Sequence, residues 1–321
     1  MRDATAPRIG IAMGDPAGIG AELLAKLLAA RELLAPAAVS VLGDRRVLAA
    51  GEAVAGVTHA LPVVGLDGTD RAAPGRPVLV DLGHLDPAAI TPGEPSAAGG
   101  AFAMRNFREG LELARAGRLD GVMFTPFNKL ALKLAGNPYP DEIRWAADVL
   151  GWQGPCSEYN RLDHLWNARV TLHEPLGRVA GLITEARVLA AIEATLETLE
   201  GVGVAAPRLA VAALNPHAGE GGLFGMEEIE VIAPAVARAR AKGLAVAGPF
   251  PSDTVWLKAR RGEFDAVLSM YHDQGQIALK LMGFERGVTV LGGLPVPIPT
   301  PAHVTAYDIV GRGIADAAAT G

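Results

Sequence analysis

The chain has a single cysteine, Cys156, in 321 residues, which excludes a disulfide framework and a structural cysteine–zinc site. Cys156 lies in the polar stretch GWQGPCSEYN and reads as incidental. Aromatic residues make up only 5% of the sequence. No apolar run approaches the roughly 18 uninterrupted residues of a membrane span. Positive charge is not in excess: 29 lysines and arginines against 35 acids give a net charge of −6. That balance leaves no electrostatic footprint for nucleic acid. The opening residues, MRDATAPRIGIAMGD, lack the apolar core of a signal peptide. Neither a nucleic acid nor a membrane is expected as a partner, and a cytoplasmic location is expected. Low-complexity linkers and internal repeats are missing as well, so any division into domains must come from the chain crossing between sheets.

What is present is half apolar, with 39 glycines and 23 prolines, in alternating strand-like and helix-like segments. That is the profile of a soluble α/β protein, long enough for two domains at ~150 residues each. Buried strands are expected at residues 8–13, 38–42, 77–80, 121–124, 209–214 and 266–270. Helical periodicity covers 21–34, 97–116, 188–199 (capped by Thr184), 227–242 and 275–281. Two short helices are expected across 128–150, broken at GNPYP.

Three strings place a histidine after an apolar run with an acid nearby. They are VTLHEPL with His173 and Glu174, LNPHAGEGGLFG with His217 and Glu220, and YHDQGQIALK with His272 and Asp273. Three imidazoles at the exits of three buried strands can converge on one divalent ion, with acids orienting the rings. Taken singly, each reads more simply as an ordinary loop histidine, since spacings of 44 and 55 residues specify nothing. The turn GDPAGIG, with Gly14 and Asp15, departs from the G-x-G-x-x-G spacing of a dinucleotide loop. It is either a strand-to-helix turn or a ligand loop. Asp253, in PSDT, is either part of a helix cap or an acid of a charged cleft. Lys129, in TPFNK, stands at a strand end, where α/β proteins gather ligands, or is a surface lysine.

The strings GDPAGIG, TPFNK, LNPHAGEGG, SDT, YHDQG and GRG, in this order over nearly the whole chain, resemble the 4-hydroxythreonine-4-phosphate dehydrogenase family. The resemblance implies a two-domain α/β fold like the isocitrate and isopropylmalate dehydrogenases, with the active site in the interdomain cleft. The division expected is residues 1–125 plus 285–321 for one domain and 126–284 for the other, which carries the histidines and the dimer contact. A homodimer with a shared active site is implied, as are NAD and a divalent metal (zinc, magnesium, manganese or similar) held by His173, His217 and His272. Asp253 and Asp273 match active-site acids and, with Lys129, are the candidate catalytic residues. Lys280 matches a substrate-binding lysine. The loop at 302–316 resembles the adenosine loop of the related dehydrogenases, giving His303, Asp308 and Ile309 as cofactor residues beside Gly14 and Asp15. A carboxylate at Asp308 favours NAD, because it accepts bonds from the ribose hydroxyls and repels a 2′-phosphate.

The substrate side departs from the family pattern. The Gly-His-Thr-Glu string expected after YP is replaced by DEIRW, which leaves Asp141 and Arg144 as substrate-binding candidates. Thr289 stands for a substrate-binding asparagine and Ile298 for an arginine, removing a natural phosphate clamp unless Arg144 or Arg161 compensates. The terephthalate dihydrodiol dehydrogenase branch also lacks that string and carries one like VTLHE. These departures imply an unphosphorylated hydroxy acid, such as a cis-dihydrodiol carboxylate, oxidised and then decarboxylated. The alternative is 4-hydroxythreonine 4-phosphate itself. An alternative of another class is an acyl- or phosphotransferase on a related fold; it gives the three histidines no purpose.

Overall fold

The computed structural model describes residues 6–283, 287–301 and 305–317. It falls into two compact units, 1–153 with 294–321, and 154–293. In the first, strands β1 (Arg8–Ala12), β2 (Ala38–Gly43), β3 (Val63–Val64), β4 (Val78–Asp81) and β5 (Gly121–Phe124) form a parallel sheet ordered β3-β4-β2-β1-β5. Covered on both faces, such strands read as continuous apolar runs, which is why four of the five were recognisable. Helices α1 (Gly20–Ala29), α2 (Arg31–Leu34), α3 (Arg45–Ala55), α4 (Ala97–Arg115), α5 (Lys129–Leu134) and α6 (Glu142–Leu150) accompany them. Ile11, Leu24, Val41, Leu79 and Phe102 form its core. The single helix expected at 21–34 breaks at Ala30, whose ψ of 72° is not helical.

The domain boundary expected at 125/126 lies instead at 153/154. Residues 126–153 belong with the first unit because α6 buries Trp145 edge-on against Phe107 of α4, ring centroids 5.0 Å apart. The chain returns to the first unit after 293 rather than 284, since Val288–Gly292 pairs inside the second sheet. A short strand, Ile298–Pro301, follows, and Pro297 O accepts a bond from Val122 N of β5 at 3.2 Å.

The second unit holds β6 (Ser157–Leu162), β7 (Leu165–Arg169), β8 (Leu209–Ala212), β9 (Val246–Phe250), β10 (Ala266–Ser269) and β11 (Val288–Gly292). Their order is β11-β6-β7-β10-β8-β9. From β7 to β9 the neighbours are parallel, and β6 runs antiparallel to both β7 and β11. Helices α7 (Leu176–Leu182), α8 (Glu185–Gly201), α9 (Ala233–Ala241), α10 (Ser252–Arg260) and α11 (His272–Gly283) complete it. Thr184 caps α8 as expected, its side chain accepting from Arg187 N. The segment expected as one helix at 227–242 opens with a π-helical turn, Glu228–Ile232.

Helix α11 begins at His272, three residues before the expected start, so the motif YHDQGQ is a strand-to-helix junction. Its Gly275 faces Asn167 of β7 closely enough that an added Cβ would lie 2.3 Å from Asn167 Nδ2. Asn167 is fully buried, with Oδ1 accepting from Ser269 Oγ at 2.7 Å, so it has little room to yield. Gly275→Ala should therefore push α11 off the sheet and lower stability by about 1–3 kcal/mol, read from a denaturant melt. An unchanged midpoint would show that the helix is seated loosely.

Candidate active site

Strands β7, β10 and β8 are adjacent and parallel, and His173, His272 and His217 follow their carboxyl ends in turn. That edge of a parallel sheet is where α/β proteins bind ligands. His173 and His272 come together, with ring centroids 5.2 Å apart. His272 Nδ1 lies 2.7 Å from Asp273 Oδ1. A carboxylate only accepts, so Nδ1 is the protonated nitrogen in this contact, and in the neutral ring Nε2 is then the lone-pair donor. The next residue, Gln274, ties two strand ends together: its Oε1 accepts from Met270 N at 2.7 Å and its Nε2 donates to Ala213 O at 2.8 Å.

His217 does not join the pair as expected. Among the described residues no three histidine, cysteine or acidic side chains form a ligating group. The cause is the backbone: every residue from His217 to Gly221 has positive φ, and this coiled loop sets the His217 ring beside Phe224, centroids 6.2 Å apart. The loop is pinned by Glu228, which is 2% exposed and accepts from Leu214 N, Asn215 N and Asn215 Nδ2 at 2.7–3.0 Å.

The other expected residues are placed as follows. Asp273 is engaged by His272. Asp253 is exposed on the first turn of α10, whose N-cap position is Pro251 without a side-chain cap. Lys129 opens α5 and lines a cavity of about 300 Å³ with Lys133, Asn137, Tyr139, Asp141 and Glu142. Asp141 is the N-cap of α6, accepting from Arg144 N at 2.8 Å, and it also pairs with the Arg144 guanidinium. That pairing occupies the arginine expected to grip substrate. Lys280 is exposed near the end of α11, and Thr289 is half-buried in β11.

The turn with Gly14 and Asp15 is a close-packed strand-to-helix turn. A Cβ on Gly14 would meet Thr125 O at 2.2 Å, so only glycine fits. The C-terminal loop folds onto this turn. Tyr307 Oη donates to Asp15 Oδ2 at 2.5 Å, Ile19 N to Thr305 O at 3.1 Å, and Lys26 Nζ to Gly313 O and Ala315 O. Ile309 packs with Ile19, Leu23 and Ala315, whereas Asp308 is exposed and makes no ion pair among the described residues. His303 lies outside the described residues.

A family model described as pyridoxal phosphate biosynthetic protein PdxA matches residues 35–320. The chain belongs to the PdxA family. A Rhizobium meliloti (strain 1021) protein provisionally named 4-hydroxythreonine-4-phosphate dehydrogenase 2 is 55% identical over 98% of this chain and 90% of its own length. The solved 4-hydroxythreonine-4-phosphate dehydrogenase of Klebsiella pneumoniae is 38% identical, with a TM-score of 0.86 over 99% of this chain and 96% of that one. A terephthalate 1,2-cis-dihydrodiol dehydrogenase from Burkholderia xenovorans LB400 is more distant, at 29% identity and TM-score 0.69 over 98% and 95% of the two chains. Similarity thus sides with the phosphorylated alternative over the unphosphorylated reading drawn from the missing Gly-His-Thr-Glu string.

For a PdxA-family chain, the sequence reading passed over Glu228 and Gln274, and it met Tyr307 only as a departure from the cofactor-loop pattern. Glu228 and Gln274 stand in or beside recognised strings, but which groups they bond is set by how the loop after β8 folds back and how β8 and β10 lie together. Asp15 is 2% exposed, and its burial raises the carboxyl pKa, against the lowering effect of the bonds from Tyr307 and Ala17 N. Burial, followed by the bond to Asp15, likewise raises the Tyr307 phenol. Tyr307→Phe should cost about 1–3 kcal/mol at neutral pH, because it strips a donor from a buried carboxylate. A carboxyl whose folded pKa is raised loses stability as pH rises through its titration. The variant raises it further, so the deficit should shrink as pH falls and Asp15 takes up its proton. Denaturant melts at two pH values check this, and a deficit that grows in acid would contradict it.

Proposed function

We propose that this PdxA-family chain is an NAD-dependent, divalent-metal-dependent dehydrogenase of a phosphorylated hydroxy acid of the 4-hydroxythreonine 4-phosphate type. The observation that carries the proposal is the His173–His272 pair at the ends of neighbouring parallel strands, with Asp273 orienting His272. The names of the closely similar relatives support the phosphorylated substrate. Two imidazoles with an acid behind one of them fit a divalent ion as partial ligation, and the resemblance adds His217 as the third donor.

When bound, the ion would lower the pKa of the substrate hydroxyl and NAD would accept the hydride. The chain supplies the rest. Asp273 holds the His272 tautomer, and Gln274 and Gly275 keep α11 in register with the strand ends. Asp253, in the same unit, takes the hydroxyl proton. The oxidised product is a β-keto acid, whose C–C bond to the carboxylate can then break, releasing carbon dioxide and leaving an enol that is reprotonated. For the cofactor, Ile309 and the Asp15–Tyr307 contact anchor the loop and leave the Asp308 carboxylate exposed for the ribose. A homodimer belongs to the same reading, supported by the exposed apolar Leu223, Phe224, Met226 and Ile229 of the second unit.

Asp273→Asn should weaken metal affinity by about 10–100-fold through loss of ring orientation, and His272→Ala should abolish metal content and turnover with melting temperature retained. Metal analysis of the purified variants checks both. Asp308→Ala should narrow the preference for NAD over NADP, measured as the ratio of kcat/KM values. The substrate reading is tested by rates on 4-hydroxythreonine 4-phosphate and on a cis-dihydrodiol carboxylate, side by side under the same metal and NAD. A faster rate on the latter overturns it.

A further inference from the structure

A polar row crosses the second unit's sheet beneath α11, and one of its members has no part in the chemistry above. Arg169 ends β7 with 4% of its surface exposed. It forms no ion pair among the described residues, and two of its donors, Nε and Nη1, are buried without a hydrogen-bond partner. Burial pulls its pKa down, with Glu158 acting only at a distance in the opposite sense. A sequestered guanidinium without a carboxylate partner is unfavourable by itself, so its charge calls for a use.

The third donor shows the use. Arg169 Nη2 donates to Asn160 Oδ1, which also accepts from Gln276 Nε2 at 2.8 Å. Asn160 Nδ2 in turn donates to Thr289 Oγ1 at 3.0 Å, across the directly paired positions of β6 and β11. From Arg169 through Asn160 to Thr289 the bonds run one way, outward from the cation, while Gln276 donates into Asn160 from the helix. The Thr289 oxygen accepts here, which leaves its own O–H able to donate onward, and bonds chained in one sense strengthen each other. Thr289 stands where the family resemblance puts a substrate-binding asparagine. Gln276 sits one helical turn after His272 and one before Lys280, so the row and the histidine share one face of α11. Ile298, where the resemblance puts the arginine, is wholly buried and apolar.

We propose that Arg169 is the cation of this chain's phosphate subsite, acting through Asn160 to present the Thr289 hydroxyl proton to the anionic end of the substrate. The inference rests on the phosphorylated-substrate reading. Arg169 and Asn160 are positioning residues here, and Thr289 is the one that touches the anion.

The test is titration of the full-length protein with inorganic phosphate, followed by calorimetry, alongside steady-state kinetics. Arg169→Met and Thr289→Val should each weaken phosphate binding by about tenfold or more. The double variant should be no worse than the weaker single one, since both break a single chain. Thr289→Ser, which keeps the hydroxyl, should restore most of the affinity. In turnover of the phosphorylated hydroxy acid, KM should rise with kcat held, a split that loss of a merely structural arginine would not produce. Wild-type affinity in folded Arg169→Met, additive losses in the double variant, or no phosphate binding by the wild type would each overturn the proposal. If Arg169→Met does not fold, Thr289→Val decides: wild-type phosphate affinity in that variant overturns the relay, and a loss rescued by Thr289→Ser supports it. Phosphate affinities that fall as expected in a protein that does not oxidise phosphorylated hydroxy acids would sink the substrate reading and leave the subsite standing.

Discussion

The candidate site depends on how closely α11 can approach the sheet. Gly275 lets its backbone lie against Asn167, and Gln274 bonds the chain at the ends of β10 and β8. With the helix seated, its first residue, His272, comes up against His173 from the end of β7. Displacing the helix by an ångström or two would move the histidine, its orienting Asp273 and the Gln276–Asn160 contact together. One close contact between a helix and a sheet thus sets the metal-type pair and the polar row at once.

The same economy governs the buried polar groups. Glu228 is sequestered, yet its two oxygens satisfy two backbone amides and a side-chain amide of the loop that carries His217. Asp15 is sequestered in the first unit and takes the Tyr307 hydroxyl and the Ala17 amide. In each case an acid in the interior fixes a loop that the surrounding apolar packing leaves undetermined. Burial raises the cost of a missing partner, so these contacts hold the loops in single conformations.

Local pattern revealed most of the parallel strands and the start of α8, because β1, β2, β8 and β10 are short apolar runs closed by turn residues. It did not reveal the β6–β7 hairpin, where SEYNRL and LWNAR mix polar and apolar residues without regular alternation or a recognised turn. Those polar residues are the ones that build the row under α11. The boundary near residue 153 was equally hidden: only the packing of Trp145 on Phe107 assigns 126–153 to the first unit. The glycine turn at residue 14 could be read two ways, and the close approach of Thr125 decides for the turn.

By itself, then, the sequence determined the α/β class, the three histidine strings and the family, since these rest on runs and motifs a few residues long. Only the tertiary structure decided which histidines meet, that Tyr307 rests on Asp15, and that the arginine ending β7 bonds into an amide relay. Such pairings join positions up to nearly 300 residues apart in the chain. They are set by strand order and by the approach of helix to sheet, and neither of these leaves a local trace in the order of the residues.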